Sequence, residues 1–371
     1  MKTTSYKYSY DIHGIIRIQS KYLLPELGYF RVAALSAPAD IVVDTHKAEA
    51  ANGPVRKKVH YQDGLGSLGF EMDIEYGKQT WVTVSRLVAL SPHVLYTNVI
   101  EALLRWTFVQ KGYVLIHAAC MSFNGRAMLV TAKTDTGKTS TLILTTMHNP
   151  DCHFLSDDMT ILSADGTVQS YPKPMTISFH TLHAAKTAPL PFLNRMALQV
   201  QSRLHSKSGR KVGLTLSHSK FPAASLNTLV QMIIPPPKYM VDKLIPSVQF
   251  EKTSKLTNVL VIERGPDGEH NMTHTEILQE LIVNAEDAYG FPPYPIIGRE
   301  LYMWDGQDLH DIERDIVSRA LVNAPAQLAR STSFGWWKRI PVIMGSATRT
   351  TNINEANETK DAAHAPVRAL A

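Results

Sequence analysis

Residues 127–140 read AMLVTAKTDTGKTS, and this stretch decides the fold. Its first five residues form an apolar, partly β-branched run that predicts a strand. The residues that follow match the spacing G-x-x-x-x-G-K-[ST] of a phosphate-binding loop, with Ala132 in place of the first glycine. A helix is expected over Gly137–Met147, ended by Asn149-Pro150, because proline disfavours a helical conformation in the residue before it. A strand before the loop and a helix after it are the context that this motif requires.

The chemistry of the loop indicates a nucleoside triphosphate with Mg²⁺. Backbone N–H groups of such a loop and of the following helix N-terminus point at the β- and γ-phosphates. Lys138 adds a positive charge at the same phosphates, and the Thr139 hydroxyl can bind Mg²⁺, which prefers oxygen ligands. We therefore expect ATP and Mg²⁺ as cofactors. The residues expected to bind the nucleotide are Thr134, Asp135, Thr136, Gly137, Lys138, Thr139 and Ser140.

An acidic pair, Asp157-Asp158, follows about twenty residues after Lys138, at the end of the short strand-like run His153-Phe154-Leu155. Adjacent side chains on an extended segment point in opposite directions. One carboxylate can therefore face the metal while its neighbour faces a substrate hydroxyl. A kinase needs both functions, since one acid completes the metal shell and another orients or deprotonates the acceptor.

A histidine, His117, ends the strand-like run Tyr113–His117, which Ala118–Phe123 is expected to extend. Asn124-Gly125 then predicts a hairpin into the strand before the phosphate loop, because both central residues of such a turn need positive φ. A second hairpin is predicted around Ala164-Asp165-Gly166. His117 is either a hydrogen-bonded core residue or part of the site.

Together these residues resemble the HPr kinase/phosphorylase and phosphoenolpyruvate carboxykinase-like superfamily. The likeness is carried by Ile116-His117-Ala118-Ala119, the hairpin, the phosphate loop and Leu155-Ser156-Asp157-Asp158, and it covers about residues 100–180. Glu263-Arg264-Gly265 is superficially close to a later signature of that family. The fold that the resemblance implies is α/β, with a P-loop core of the HPr kinase/carboxykinase type.

The resemblance also implies roles for individual residues. Asp157 matches the catalytic base, and Asp158 matches the metal ligand that acts beside Thr139. His117 matches a histidine near the phosphates. The expected catalytic residues are Asp157, His117 and Lys138, and the expected metal ligands are Thr139 and Asp158.

Three regions are expected along the chain. Residues 1–100 alternate β-branched runs with turn-forming residues, which predicts a mainly β N-terminal domain. Residues 101–325 would form the P-loop core, in which Val259–Ile262 is a strong strand candidate. Residues 326–371 become polar and rich in Ala, Thr and Asn, so we expect a disordered tail.

The composition excludes several classes of protein. The chain has 371 residues, 44% hydrophobic and 19% charged, and only two cysteines, which disfavours a disulfide framework. It has no signal-peptide-like N-terminus and no apolar run long enough to span a membrane, so a cytoplasmic location is expected. The net charge is +5, but we find no nucleic-acid-binding motif and expect no nucleic-acid partner. Ser333–Ile340, with aromatic residues beside cations, allows a weak membrane contact, and the sequence is compatible with an oligomer.

The expected function is ATP-dependent phosphorylation of a hydroxyl on a small molecule, a sugar or a peptide serine. Two alternatives stay open from the residues alone. One is a carboxykinase-like enzyme of the same superfamily. The other is a regulatory protein that binds ATP without transferring phosphate. The identity of the hydroxyl-bearing substrate cannot be read from the sequence.

Overall fold

The computed structural model describes residues 6–45, 55–63, 65, 68–133, 136–176, 222–233, 235, 238–288, 293–333 and 335–345. The chain is mixed α/β, as the sequence predicts. Thr134 and Asp135, both expected in the phosphate loop, lie outside the described residues, as do residues 346–371 of the expected tail.

Seven strands from the first part of the chain form one sheet, in the spatial order β3-β1-β2-β4-β7-β6-β5. Alternate residues of β1 and β2 are buried, the pattern of a sheet with one face on a core. The strands are β1 Tyr8–Ile12, β2 Ile16–Ser20, β3 Arg31–Val32, β4 Ile41–Asp44, β5 Val55–Gln62, β6 Glu71–Gly77 and β7 Thr80–Val84.

A second sheet of ten strands carries the candidate site. Its central strand β17 lies parallel to β10 on one side and to β21 on the other. The ten strands are β8 Tyr113–Ile116, β9 Ala119–Phe123, β10 Arg126–Thr131, β11 Cys152–Ser156, β12 Thr160–Ser163, β13 Thr167–Gln169, β16 Gln249–Phe250, β17 Thr253–Arg264, β18 Gly268–Met272 and β21 Ala326–Ser331. Two short ladders pair β14 Met175–Thr176 with β15 Lys238–Tyr239, and β19 Met303–Trp304 with β20 Gln307–Asp308.

Within the described ranges, six longer helices pack around the sheets. They are α1 Glu101–Gln110, α2 Lys138–His148, α3 Ala223–Ile233, α4 His274–Ala288, α5 Tyr294–Leu301 and α6 Leu309–Ala320. A π-helical turn, Leu95–Ile100, leads into α1, and the short helical turns are Pro25–Phe30, Arg86–Ala89, Pro92–Val94, Val241–Leu244, Gly335–Lys338 and Ile340–Ile343. Helix α1 is buried over almost its whole length and joins a hydrophobic core that includes residues of both sheets. Within the described ranges, no helix is both long and apolar enough to cross a membrane.

The turns that the sequence predicts are present in the structure. Asn124 and Gly125 have φ values of 52° and 73°, and Phe123 pairs with Arg126, so the predicted two-residue hairpin is confirmed. Strands β12 and β13 pair across the second predicted hairpin. Helix α2 begins at Lys138, directly after Gly137, whose φ of 125° is a conformation that favours glycine.

The expectation that Tyr113–Phe123 forms one continuous strand is wrong. The strand is interrupted after Ile116: β8 pairs with β12, whereas β9 pairs with β10 and β11. The break follows from these separate pairings, which the apolar run itself does not encode. It leaves His117 between two strands rather than within one.

The expectation that disorder begins at residue 326 is also wrong for the described part of that segment. β21 pairs with β17 and β18 inside the second sheet. Trp336 is 1% exposed, donates a hydrogen bond from Nε1 to the Ala329 carbonyl at 3.1 Å, and packs with Ile340 and Met344 in a second hydrophobic cluster. A few large apolar side chains therefore anchor a segment whose average composition is polar.

Candidate functional site

The site lies where two connections between strands face each other, one between β8 and β9 and the other between β11 and β12. Thr160 of β12 pairs with Ile116 of β8, and Ser156 of β11 pairs with Cys120 of β9. The residues between these pairs must therefore face each other, which sets His117 against the Asp157-Asp158 pair. The distance from Nε2 of His117 to Oδ1 of Asp158 is 3.1 Å.

The phosphate loop leaves the sheet at the same edge. β9 runs antiparallel to both β10 and β11, so β10 and β11 share a direction, and β17 is parallel to β10. The carboxyl ends of all three strands meet there, which is where ligands bind in open α/β sheets. Backbone N–H groups of the first turn of α2 also lie at this edge, because the helix begins at Lys138.

Thr139 lies beside Asp157 rather than Asp158. Its hydroxyl donates a hydrogen bond of 3.3 Å to Oδ2 of Asp157. Asp157 is 6% exposed, and its Oδ1 atom has no hydrogen-bond partner among the described residues. Burial, and then the neighbouring charge of Asp158, raise the pKa of Asp157 to about 6. A cation beside this carboxylate would meet an oxygen that is already dehydrated and unpaired.

Asp158 points to the other side, towards Lys173, Lys138 and His117. Its Oδ2 lies 2.8 Å from Nζ of Lys173, and its Oδ1 lies near His117 and 3.6 Å from Nζ of Lys138. Burial alone would raise the pKa of Asp158, but Lys173, His117 and Lys138 together hold it well below its usual range. Its side chain is nevertheless 42% exposed, so Asp158 is the more accessible of the two carboxylates.

Lys138 carries a positive charge that the protein only partly balances. Its side chain is 12% exposed, and Nζ makes no hydrogen bond to the described residues. Burial lowers the pKa of Lys138, and the nearby Asp158 and Asp157 offset that effect only in part. A buried ammonium group without a hydrogen bond is costly, and an anion such as phosphate would satisfy it.

His117 is held in place from two sides. Its Nδ1 atom lies 3.1 Å from the carbonyl oxygen of Asn284, on α4, while Nε2 faces Asp158. Both ring nitrogens thus face oxygen atoms, and these two contacts fix the orientation of the ring. The Asn284 side chain donates to the Thr131 hydroxyl at 3.1 Å, and Thr131 in turn donates to the His117 carbonyl at 3.4 Å.

Two further residues of the phosphate loop, Ser140 and Thr136, lie next to the site. Ser140 is buried in the first turn of α2. The carbonyl oxygen of Thr136 accepts a hydrogen bond of 3.1 Å from Nε of Arg264, at the carboxyl end of β17. The Arg264 guanidinium also lies 5.2 Å from the centre of the Trp336 ring, so the C-terminal segment supports the loop through Arg264.

Four residues of the site belong to no motif that the sequence reveals: Glu101, Thr131, Lys173 and Asn284. Lys173 contacts both Asp158 and Glu101, at 2.8 and 2.7 Å. It follows Tyr171-Pro172, yet no motif spacing marks it. Asn284 contacts His117 through its backbone carbonyl, and that contact carries no sequence signal. Arg264 lies in the run Glu263-Arg264-Gly265, but its contact with the loop depends on the pairing of β10 with β17.

The arrangement fits a triphosphate with a divalent cation. A helix N-terminus and an unsatisfied lysine would hold phosphate, and a hydroxyl beside an unpaired carboxylate oxygen would hold Mg²⁺. Comparison of the chain with protein-family models and with curated proteins finds no match.

Proposed function

We propose that the chain is a phosphotransferase that uses a nucleoside triphosphate, with Mg²⁺, to phosphorylate a hydroxyl group. One observation carries the proposal: Lys138 and Thr139, at the start of a helix, face Asp157 and Asp158 across one sheet edge. The resemblance of these motifs to HPr kinases supports it. From the same resemblance we also propose that the second sheet and its helices form a core of the HPr kinase type. The resemblance favours ATP as the nucleotide.

We further propose the reverse of the division of roles that the resemblance implies for the two acids. Asp157 is buried, has an unpaired oxygen and touches Thr139, so Asp157 and Thr139 are the pair that would bind Mg²⁺. Bound there, the ion would neutralise charge on the phosphates. Asp158 reaches solvent and would take the proton of the acceptor hydroxyl.

In the proposed reaction the acceptor oxygen forms a bond to the γ-phosphorus. The bond between that phosphorus and the oxygen that bridges the β- and γ-phosphates breaks, and the electron pair leaves with the nucleoside diphosphate. The hydroxyl proton passes to a carboxylate oxygen of Asp158. Lys138 would stabilise the negative charge on the phosphate oxygens, and His117 would lie beside Asp158 as a hydrogen-bond donor. Catalysis of this kind depends mainly on positioning and charge.

The test is transfer of label from γ-labelled ATP, with Mg²⁺, to an acceptor in cell extract. The wild-type chain should label an acceptor that Asp158→Asn does not label, although the variant keeps its nucleotide affinity. If the wild type binds Mg-ATP but labels nothing and releases no phosphate, the chain is a nucleotide-binding regulator instead. If it binds no nucleotide, the phosphate-loop assignment is wrong.

A further inference from the structure

Lys173 is a buried lysine that joins the candidate site to helix α1. Its Nζ atom lies 2.8 Å from Oδ2 of Asp158 and 2.7 Å from Oε1 of Glu101, and its side chain is 11% exposed. Glu101, at the first position of α1, is 7% exposed. A lysine between two carboxylates in a buried setting has little freedom to rotate, since leaving either partner would strand a charge.

The chain around Lys173 is fixed independently of that ion pair. Pro172 and Pro174 flank the residue, and each proline restricts its own φ and the residue before it. The backbone N–H of Tyr171 donates to the Leu155 carbonyl at 3.1 Å, and its hydroxyl lies 2.7 Å from the hydroxyl of Tyr96. Lys173 therefore projects from a rigid segment anchored to the end of β11, beside the acidic pair.

We propose that Lys173 is a positioning residue that fixes the orientation of the Asp158 carboxylate, and that Glu101 helps to hold Lys173 in place. The inference rests on the proposed phosphotransferase function. Asp158 projects from the break between β11 and β12, and its side chain is partly exposed, so the strands alone do not restrict its rotation. Lys173 holds Oδ2 and leaves Oδ1 on the side of His117 and Lys138, where the proposed reaction takes place.

A purely structural tie between α1 and the segment after β13 is the competing explanation. In that case, loss of Lys173 lowers stability, but the folded fraction keeps its turnover. A positioning role instead predicts a loss of turnover at nearly constant nucleotide affinity, because Lys173 touches Asp158 and not Thr139 or Asp157. It also predicts partial rescue by arginine, which keeps the charge and can reach both carboxylates.

The experiment compares Lys173→Met and Lys173→Arg with the wild type, using Mg-ATP as the probe. Titration calorimetry gives the affinity, and phosphate release gives the turnover with water as acceptor. Because Lys173→Met leaves Glu101 buried without its cation, a double variant, Lys173→Met with Glu101→Gln, removes both charges and carries the test if the single variant precipitates.

The expected result is a Kd for Mg-ATP within about threefold of the wild type and a turnover lower by about tenfold or more in the methionine variants, with arginine recovering part of it. Wild-type turnover in the methionine variants, or arginine no better than methionine, would overturn the inference and leave the proposed function intact. Failure of the wild type to bind Mg-ATP, or binding with neither a labelled acceptor nor phosphate release, would refute the proposed function, and the inference with it.

Discussion

The hydroxyl group of Thr139 donates a hydrogen bond of 3.3 Å to Oδ2 of Asp157, a carboxylate whose other oxygen has no partner among the described residues. Thr139 comes from the first turn of α2, which follows β10, and Asp157 comes directly after β11, so elements on the two sides of β9 supply one oxygen cluster. A hydroxyl beside a dehydrated, unpaired carboxylate oxygen is a donor set suited to Mg²⁺. The neighbouring Asp158 instead contacts Lys173 and His117, which is the basis for assigning the two acids different roles.

Asp157→Asn should make the nucleotide-free protein more stable and abolish its function. The pKa of Asp157 is raised from 3.8 to about 6, so ionisation of this side chain costs folding free energy above that pH. A shift of about 2 pKa units corresponds to about 2–3 kcal/mol, which the neutral asparagine would recover. The gain should be full above pH 6 and fade as the pH falls towards 4, where the wild type is also protonated. Urea unfolding of both proteins across this pH range measures it, and lower stability of the variant at neutral pH would contradict the environment described for Asp157.

Asp158→Asn should fail in a different way. Mg-ATP affinity should stay within about threefold of the wild type, because Asp158 contacts neither Thr139 nor the unpaired oxygen of Asp157, whereas turnover should fall by about a hundredfold, as for loss of a general base. Asp157→Asn is the matched control, since it should lose affinity first. Equal Mg²⁺ dependence of the two variants would contradict the proposed roles.

Glu26 forms an ion cluster outside the site, and we expect the contribution of this cluster to stability to be lost in acid. Its Oε1 lies 2.8 Å from Nδ1 of His93 and 2.5 Å from Nζ of Lys238, and the residue is 1% exposed. Burial alone would raise the pKa of Glu26, but His93 and Lys238 lower it below its usual value of 4.5. The resulting stabilisation is therefore present above pH 4.5 and is lost as the pH falls through the lowered pKa.

Glu26→Gln should destabilise the protein by about 3 kcal/mol at pH 7, because it leaves the partly buried Lys238 without its anion, and the difference should shrink in acid. Chemical unfolding at several pH values measures it. Glu300→Gln is the control, since its ion pair with Arg299 is exposed and should contribute little. Equal effects of the two substitutions would show that the cluster around Glu26 is not stabilising.

A matched pair of truncations tests the C-terminal segment. Removal of residues 326–371 deletes β21, a partner of the central strand β17, together with the buried Trp336. This form should aggregate or lose its cooperative thermal transition, since an unpaired sheet edge and an apolar cluster would be exposed. Removal of residues 346–371 alone should leave the melting temperature within about 3 °C of the full chain. A stable, monodisperse chain ending at residue 325 would contradict the role of β21.

Features encoded by adjacent residues could be predicted from the sequence. Asn124-Gly125 specifies its own turn, and the strand, the loop and helix α2 follow from a local motif. The alternation rule also predicts that Asp157 and Asp158 point apart. It cannot tell which of them meets Thr139, because that depends on how β11 lies relative to α2 across β9 and β10.

Features that depend on distant pairing could not be predicted. The break at His117 exists because β8 and β9 have different partners. Ala326–Ser331 lacks the strong apolar alternation of a strand, and it becomes one because β17 and β18 supply hydrogen bonds on both sides. Lys173 and Glu101 are 72 residues apart, and neither belongs to a motif that spacing could reveal.

The most direct test of the central claim is titration calorimetry of the wild type, Lys138→Ala and Lys133→Ala with Mg-ATP. Lys133 lies in the same loop but is exposed, so its removal controls for loss of one positive charge. The wild type should bind, Lys133→Ala should bind nearly as well, and Lys138→Ala should bind at least about tenfold more weakly, since a charge-assisted hydrogen bond is worth about 1.5–3 kcal/mol. The melting temperature of Lys138→Ala should be kept, because its buried ammonium makes no hydrogen bond to the described residues. Equal affinity of Lys138→Ala and the wild type, or no binding by the wild type, would contradict the account.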